Sequence, residues 1–261
     1  IRRRAVRDGF HEWLTILNHN DKPVELTARI EAGSDFADLF EVKDALKKKG
    51  RYSSRVEDGR LLLAYERQAY RRSTVISATA GARVDEEGLT FDVRIQPHGE
   101  WTTEIDVAAT LPRVQRRGGR RSPTGKRRKE DMESNLRRWI DDAPRLECDW
   151  EPLRVTYRRS LVDLAALRFS LPITPGKSLP AAGLPWFMTM FGRDSIFTSL
   201  QALPFTAELA ATTLRVLGLW QGTRVDDFRD EDPGRILHEM RYGEMTAFEE
   251  RPHSPYYGCA D

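Results

Sequence analysis

The sequence predicts two joined parts of different class. Residues 1–112 read as an antiparallel β-sandwich, residues 131–261 as a nearly all-helical region, and residues 113–130 as a basic linker. Three observations carry this. In the first part apolar residues recur with a period of two, which means half-buried strands with one wet face. After the linker the period becomes that of amphipathic helices. Between them, residues 113–129 hold nine lysines and arginines and no acid, broken by Gly118, Gly119, Pro123 and Gly125.

The strands come first. Val24, Leu26, Ala28 and Ile30 alternate with Glu25, Thr27, Arg29 and Glu31. Leu89, Phe91, Val93 and Ile95 alternate with polar residues in the same way, as do Trp101, Thr103, Ile105, Val107 and Ala109. Residues 61–65 and 74–78 are two further strand candidates. Asn18-His19-Asn20-Asp21-Lys22-Pro23 and Asp85-Glu86-Glu87-Gly88 are turn chemistry. Several strands with such turns between them give a sandwich. Residues 35–49 are open to two readings, a helical turn or a covering loop, around Phe36, Leu39, Phe40 and Val42.

The helices follow. Met132, Leu136, Trp139 and Ile140 fall on one face. Ser160 is placed to cap a helix over 161–167. A Pro/Gly-rich loop fills 172–185. Residues 195–203 read as a helix stopped by Pro204. Residues 206–221 read as a longer one, capped by Thr206, with Leu209, Thr213, Val216, Leu217 and Trp220 facing a core and Gly222 ending it. Residues 236–241 predict a further turn or two of helix.

Composition narrows the function. The chain of 261 residues is 39% hydrophobic and 31% charged, with a net charge of +2, so no global field recruits nucleic acid or a membrane. The basic stretch has no interleaved aromatics for base stacking. It is not a phosphate-binding loop either: Gly119 to Gly125 is one residue too long, and Lys126 is followed by Arg127. No apolar run approaches the roughly 20 residues of a membrane span. Two cysteines, Cys148 and Cys259, make no disulfide framework, and a reducing, cytoplasmic location is expected. The chain opens at Ile1 and stops at Asp261 without a capping signal, which predicts a fragment truncated at both ends. His238-Glu239 lacks the second histidine of a zinc helix, since position 242 is Tyr. No metal or cofactor is therefore expected. His253 reads as a loop hydrogen-bonding residue and Cys259 as a packing residue.

The stretch most suggestive of chemistry is Ala182-Gly183-Leu184-Pro185-Trp186-Phe187-Met188-Thr189-Met190-Phe191-Gly192-Arg193-Asp194-Ser195. Aromatic faces such as Trp186 and Phe191 stack on the apolar faces of sugar rings, and an adjacent guanidinium and carboxylate can hold ring hydroxyls by charge-assisted hydrogen bonds. Asp194 could also simply cap a helix beginning at Ser195. The flanking aromatics favour a buried Arg193–Asp194 pair, which is costly as a device for stability alone.

This loop resembles the sugar-binding motif of bacterial and archaeal glycogen debranching enzymes of the amylo-α-1,6-glucosidase type, and the shorter Trp-x-Arg-Asp-Ser element of glucoamylases. Asp35-Phe36-Ala37-Asp38-Leu39-Phe40-Glu41-Val42 is similar to the N-terminal β-domain signature of the debranching group. The stretch from Asp226 to Glu244 is similar to its inter-helix loop, and Pro252-His253-Ser254-Pro255-Tyr256-Tyr257-Gly258-Cys259-Ala260-Asp261 to the segment carrying its general acid.

The resemblance implies a β-sandwich followed by the first part of an (α/α)6 barrel. It implies that Arg193 and Asp194 bind hydroxyls of the sugar whose bond is cleaved, that Asp261 is the general acid, and that the mechanism inverts, with a general base from a later part of the barrel that this chain does not reach, so the chain alone is expected to be inactive. Glu239 and Glu244 are expected to bind sugar or to orient Arg241 rather than to act as that base. Arg241, Glu244 and Tyr257 complete the expected sugar-binding set with Trp186, Phe191, Arg193 and Asp194. The implied partner is an α-glucan or oligosaccharide, with no cofactor, nucleic acid or membrane. An α-glucosidase of other linkage and a non-catalytic carbohydrate-binding protein stay open as alternatives.

Overall fold

The computed structural model describes residues 1–6, 9–79, 81–110, 132–171 and 173–258, the side chains of 132–134 excepted. The basic stretch and Asp261 lie outside the described residues. The chain divides into two compact units, Ile1–Thr124 and Gly125–Asp261.

In the first unit β1 (Arg2–Val6), β2 (Phe10–Leu17), β4 (Arg51–Glu57), β5 (Arg60–Arg67), β6 (Tyr70–Ala78) and β9 (Glu100–Thr110) form one sheet in the order β1-β2-β9-β6-β5-β4. A second sheet has the order β3 (Val24–Glu31), β8 (Gly88–Ile95), β7 (Arg83–Asp85). Every pairing is antiparallel. Leu61, Leu63, Ile76 and Ile105 of the larger sheet join Leu89, Phe91, Val93 and Ile95 of β8 in one buried cluster, with Leu26, Ala28 and Ile30 packed against it. That is the sandwich the period-two pattern predicts, with its core between the two inner faces. The pattern passes over β4 because an edge strand with both faces largely exposed needs no alternation; its arginines Arg51 and Arg55 suit an unpaired edge. The β4–β5 hairpin closes through Asp58 and Gly59, both at positive φ, as a two-residue turn of the twist-matched kind requires.

Two local devices hold the sandwich ends. Asn18, 5% exposed, donates from Nδ2 to the carbonyls of Lys22, Ile95 and Gln96, which ties the β2–β3 turn to the end of β8. Residues 35–49 contain a short helix, α1 (Leu39–Lys43). Glu41 Oε2 accepts from the Asp38 amide at 2.9 Å and from Lys48 Nζ at 2.8 Å. The Lys48 ammonium also lies 4.5 Å from the centroid of the Tyr65 ring, and the Tyr65 hydroxyl accepts from the Gly50 amide. Both partners of the ion pair are almost fully enclosed.

The second unit holds α2 (Met132–Asp141), α3 (Glu151–Ala166), α4 (Gly192–Ala202), α5 (Glu208–Leu219) and α6 (Glu244–Ala247), plus a two-residue pairing of β10 (Arg168–Phe169) with β11 (Leu179–Pro180). Its core gathers Leu171, Leu179, Met190, Val216, Leu217, Leu237, Met240 and Tyr257. Leu209, Thr213, Val216 and Leu217 are buried, as the spacing along α5 predicts. Trp139 Nε1 donates to the Leu161 carbonyl, with Arg168 3.9 Å from its ring centroid. Among the described residues no helix is long and apolar enough to cross a membrane.

Four expectations are corrected. Ser160 is no cap: it sits inside α3, which starts nine residues earlier with a proline in its first turn. Thr206 stands before α5, whose N-cap position is Ala207; its hydroxyl accepts from the Glu208 amide at 3.4 Å. α5 ends at Leu219 with Trp220 as C-cap, and the Gly222 amide instead donates to the Arg235 carbonyl. Residues 236–241 form no helix, because their backbone groups are taken by distant segments. The Gly192 amide donates to the His238 carbonyl, the His238 amide to Tyr256, and the Met240 amide to Met190.

Candidate functional site

The 182–195 stretch is built as a small hairpin followed by a helix start. Gly183 and Phe187 exchange amide-to-carbonyl bonds at 3.1 and 3.0 Å, which leaves Leu184, Pro185 and Trp186 at the tip. The chain then runs extended to Phe191 and enters α4 at Gly192. A side chain at 192 would bring a Cβ to 2.0 Å from the Leu237 carbonyl oxygen, so only glycine allows this approach. Arg193 and Asp194 therefore fall in the first turn of α4, where a carboxylate is favoured by the helix dipole. Both are exposed. This corrects the expectation of a buried Arg–Asp pair. The anchor of the turn is Ser195, fully buried, whose hydroxyl donates to the Pro180 carbonyl at 2.9 Å.

A second extended segment, 237–241, runs beside it. Isolated bridges join Phe191 to Glu239 and Glu239 to Tyr256, so three separate pieces of chain meet edge to edge. Glu239 and Arg241, two apart on an extended chain, share a side. Arg241 Nε donates to Glu239 Oε2 at 2.9 Å, and His253 Nε2 lies 3.0 Å from Glu239 Oε1. The Arg241 Nη1 donates to the Trp186 carbonyl at 2.7 Å, and its guanidinium lies 4.9 Å from the Phe191 ring centroid. One arginine thus links the hairpin tip, the aromatic behind it and a buried carboxylate. Burial alone would push the Glu239 carboxyl up, but the His253 hydrogen bond and the Arg241 charge outweigh it and hold it below the usual range.

The aromatics sort into two groups. Trp186, 40% exposed, and Phe187, 49% exposed, present ring surface to solvent. Phe191 is buried, edge-on to Phe187 at 5.6 Å and to His238 at 5.7 Å. Tyr257 is buried in the core with its hydroxyl donating to the Trp220 carbonyl, and Glu244 is completely enclosed at the start of α6. The structure therefore brings Trp186, Phe191 and Arg241 into one assembly, and leaves Glu244 and Tyr257 without a surface to offer. Asp261 lies outside the described residues, but the backbone before it is pinned: the Tyr256 amide donates to Glu239 and the Tyr257 amide to Arg229. Arg229 in turn is held by Asp226 at 3.0 Å and Glu249 at 2.7 Å.

Glu239 and His253 are the residues that sequence reasoning underweighted. The signal was the i, i+2 spacing of Glu239 and Arg241, which faces both the same way only on an extended chain and not on the helix expected there. A separate cleft of about 790 Å³ lies among α2, α3 and α4, lined by residues including Trp139, Leu153, Tyr157, Leu161, Ala202 and Phe205. The polar heads of Trp139 and Tyr157 already bond the carbonyls of Leu161 and Pro144, so they are not free to select a polar ligand.

The ion pairs at Glu239 give a pH signature. Its folded-state value is lowered, so its stabilisation is complete above the ordinary carboxylate value of about 4.3 and is lost as pH falls through the folded value. The stability gap between the wild-type chain and Glu239→Gln should shrink below about pH 4.3. Urea unfolding at stepped pH measures it, and a gap that widens in acid would contradict the assignment.

Residues 1–106 match the family described as the N-terminal domain of (some) glycogen debranching enzymes. No curated protein matches the chain. The matched residues cover the β unit nearly to the end of β9, and the match supports, for that unit, the resemblance drawn from the sequence.

Proposed function

We propose that this chain belongs to a glycoside hydrolase that acts on α-glucans, cleaving α-1,6 glucosyl branch linkages of glycogen-type substrates with inversion. The observation that carries the reading is the Arg241 clamp, which fixes the hairpin tip displaying exposed Trp186 a few residues ahead of the helix turn that bears exposed Arg193 and Asp194. Flat ring surface, a guanidinium and a carboxylate on one short stretch are the chemistry that holds a sugar by stacking and by its hydroxyls. The similarity of the first unit to a debranching-enzyme domain agrees with it. The helical unit is read as the first part of an (α/α)6 barrel.

In this reading Trp186, Arg193 and Asp194 touch the sugar. Phe191 and Arg241 hold that surface from behind, and Glu244 and Tyr257 brace the loops that carry it. Asp261 is the general acid, which protonates the leaving oxygen while a carboxylate on the other side activates water, so no cofactor is required. Glu239 is not that second carboxylate, because both of its oxygens are engaged by Arg241 and His253. Glu244 is enclosed and cannot reach a water on a bound substrate.

The test is calorimetric titration of the chain with a short α-1,6-branched glucan, together with glucose release from branched dextrin by the full-length protein that carries it. Trp186→Ala and Asp194→Asn should each weaken binding about 10-fold or more, the scale of one or two lost polar or stacking contacts. Asp261→Asn should leave binding in place and lower glucose release about 100-fold or more, the share of a general acid. Unchanged affinity in both binding variants would overturn the sugar site. Binding without any glucose release by the full-length protein that carries this chain would overturn the hydrolytic part alone.

A further inference from the structure

We propose that His11, Glu104 and Asp106 form a binding site for a divalent transition-metal ion of the zinc class on the outer face of the six-stranded sheet. The proposal is independent of the sugar site. Its basis is register. β2 and β9 pair so that His11 stands opposite Asp106 and Trp13 opposite Glu104. With a side-chain period of two, Glu104 and Asp106 share one face of β9, and His11 on the neighbouring strand shares it with them. Ile105, between the two acids, points the other way into the core and is 4% exposed. The three side chains converge: one ligand atom from each lies within 4.8 Å of the other two. All three residues are half-buried, open enough for an ion to enter and dry enough for charge to count.

The charge balance points the same way. Two carboxylates stand two apart on one strand face, and among the described residues neither is paired with a lysine or arginine. Asp106 meets His11, with Nδ1 and Oδ1 2.5 Å apart, and among the described residues the Glu104 side chain has no ion pair. A divalent cation would neutralise both acids at once. The donor set selects among cations. One imidazole nitrogen and two carboxylate oxygens suit zinc or its neighbours in the series, whereas calcium takes six to eight oxygens. Two ligands two apart on a strand and a third on the adjacent strand leave a fourth, open position for water, as in a three-ligand tetrahedral site. Ligands about 2.0–2.1 Å from one ion sit further apart than 2.5 Å, so the ion would replace the His11–Asp106 hydrogen bond. A metal held this way would clip β2 to β9.

Calorimetric titration of the chelator-treated chain with zinc chloride, in a non-coordinating buffer, tests this. The expected result is saturable binding of one equivalent and a zinc-dependent rise in Tm, since a ligand bound only by the native state stabilises it. Asp106→Asn and Glu104→Gln, which keep shape and surface, should each weaken binding roughly 10-fold or more, and His11→Ala should abolish it. Cobalt(II) in place of zinc should give the visible absorption of a four-coordinate ion in the wild-type chain and not in His11→Ala. Absence of saturable zinc binding would overturn the proposal. So would equal affinity in Asp106→Asn and Glu104→Gln, which would place the ion elsewhere, for example at Cys148. Far-ultraviolet circular dichroism of each variant confirms that it is folded before it is scored.

Discussion

Phe91→Ala should destabilise the β unit by about 3–5 kcal/mol, the range for removing a buried aromatic from a core. Phe91 is 2% exposed and lies at the centre of the buried cluster to which both sheets contribute. Its ring meets Trp101 edge-on at 5.1 Å, a geometry that contributes beyond the area removed from water. Its neighbours along β8, Leu89 and Val93, are fixed by pairing with β3 and cannot slide in to fill the space. The cost is therefore a transfer term plus a cavity that stays open. Urea unfolding followed by circular dichroism reads it. A loss below about 1 kcal/mol would mean that the sheets close over the gap, contrary to the packing described.

Glu41→Ala should cost nearly as much, about 3 kcal/mol or more, by a different route. The Lys48 and Glu41 side chains are 2% and 4% exposed, so removing the carboxylate takes a counter-anion away from an ammonium held in a dry site. The same change removes the acceptor for the Asp38 amide at the start of α1. The Tyr65 ring 4.5 Å from the ammonium and the Tyr70 ring 5.6 Å away soften the loss without replacing an anion. The discriminating measurement is a double-mutant cycle. Glu41→Met with Lys48→Met together should recover most of the stability lost by Glu41→Met alone, because the expense lies in an enclosed charge that has lost its carboxylate rather than in the absence of the pair. Additive losses would show that the two side chains act separately.

The sandwich was legible wherever one face of a strand is wet and the other dry. In β3, β8 and β9 alternation sets both the element and the inward residues, since a one-residue slip would turn Leu89, Phe91, Val93 and Ile95 out to water. β4 was not legible, because both of its faces are largely exposed and its pairing with β5 is set by the Asp58-Gly59 turn. In the helical unit, the spacing of Leu237 and Met240 imitates a helix face. What decides that segment is the demand of Gly192, Met190 and Tyr256 for its amides and carbonyls, which are distant in sequence. The candidate site divides the same way. Trp186, Arg193 and Asp194 stand out within one short stretch, whereas the Glu239–His253 contact joins residues 14 apart and the His11–Asp106 contact residues 95 apart, each brought together only by folding.

The arginine clamp has a bearing on how this surface could be retuned. Arg241 grips residue 186 by its main-chain carbonyl, which every amino acid possesses. The hairpin's closure is therefore blind to the side chain displayed at its tip. If Trp186 stacks on a sugar as proposed, a library varied at 186 should yield members with altered sugar preference and unaltered loop geometry, while even Arg241→Lys, with no fork to span the Glu239 carboxylate and the 186 carbonyl, should loosen the whole surface. The displayed side chain and the bond that holds the tip thus belong to separate groups, and one can change without the other.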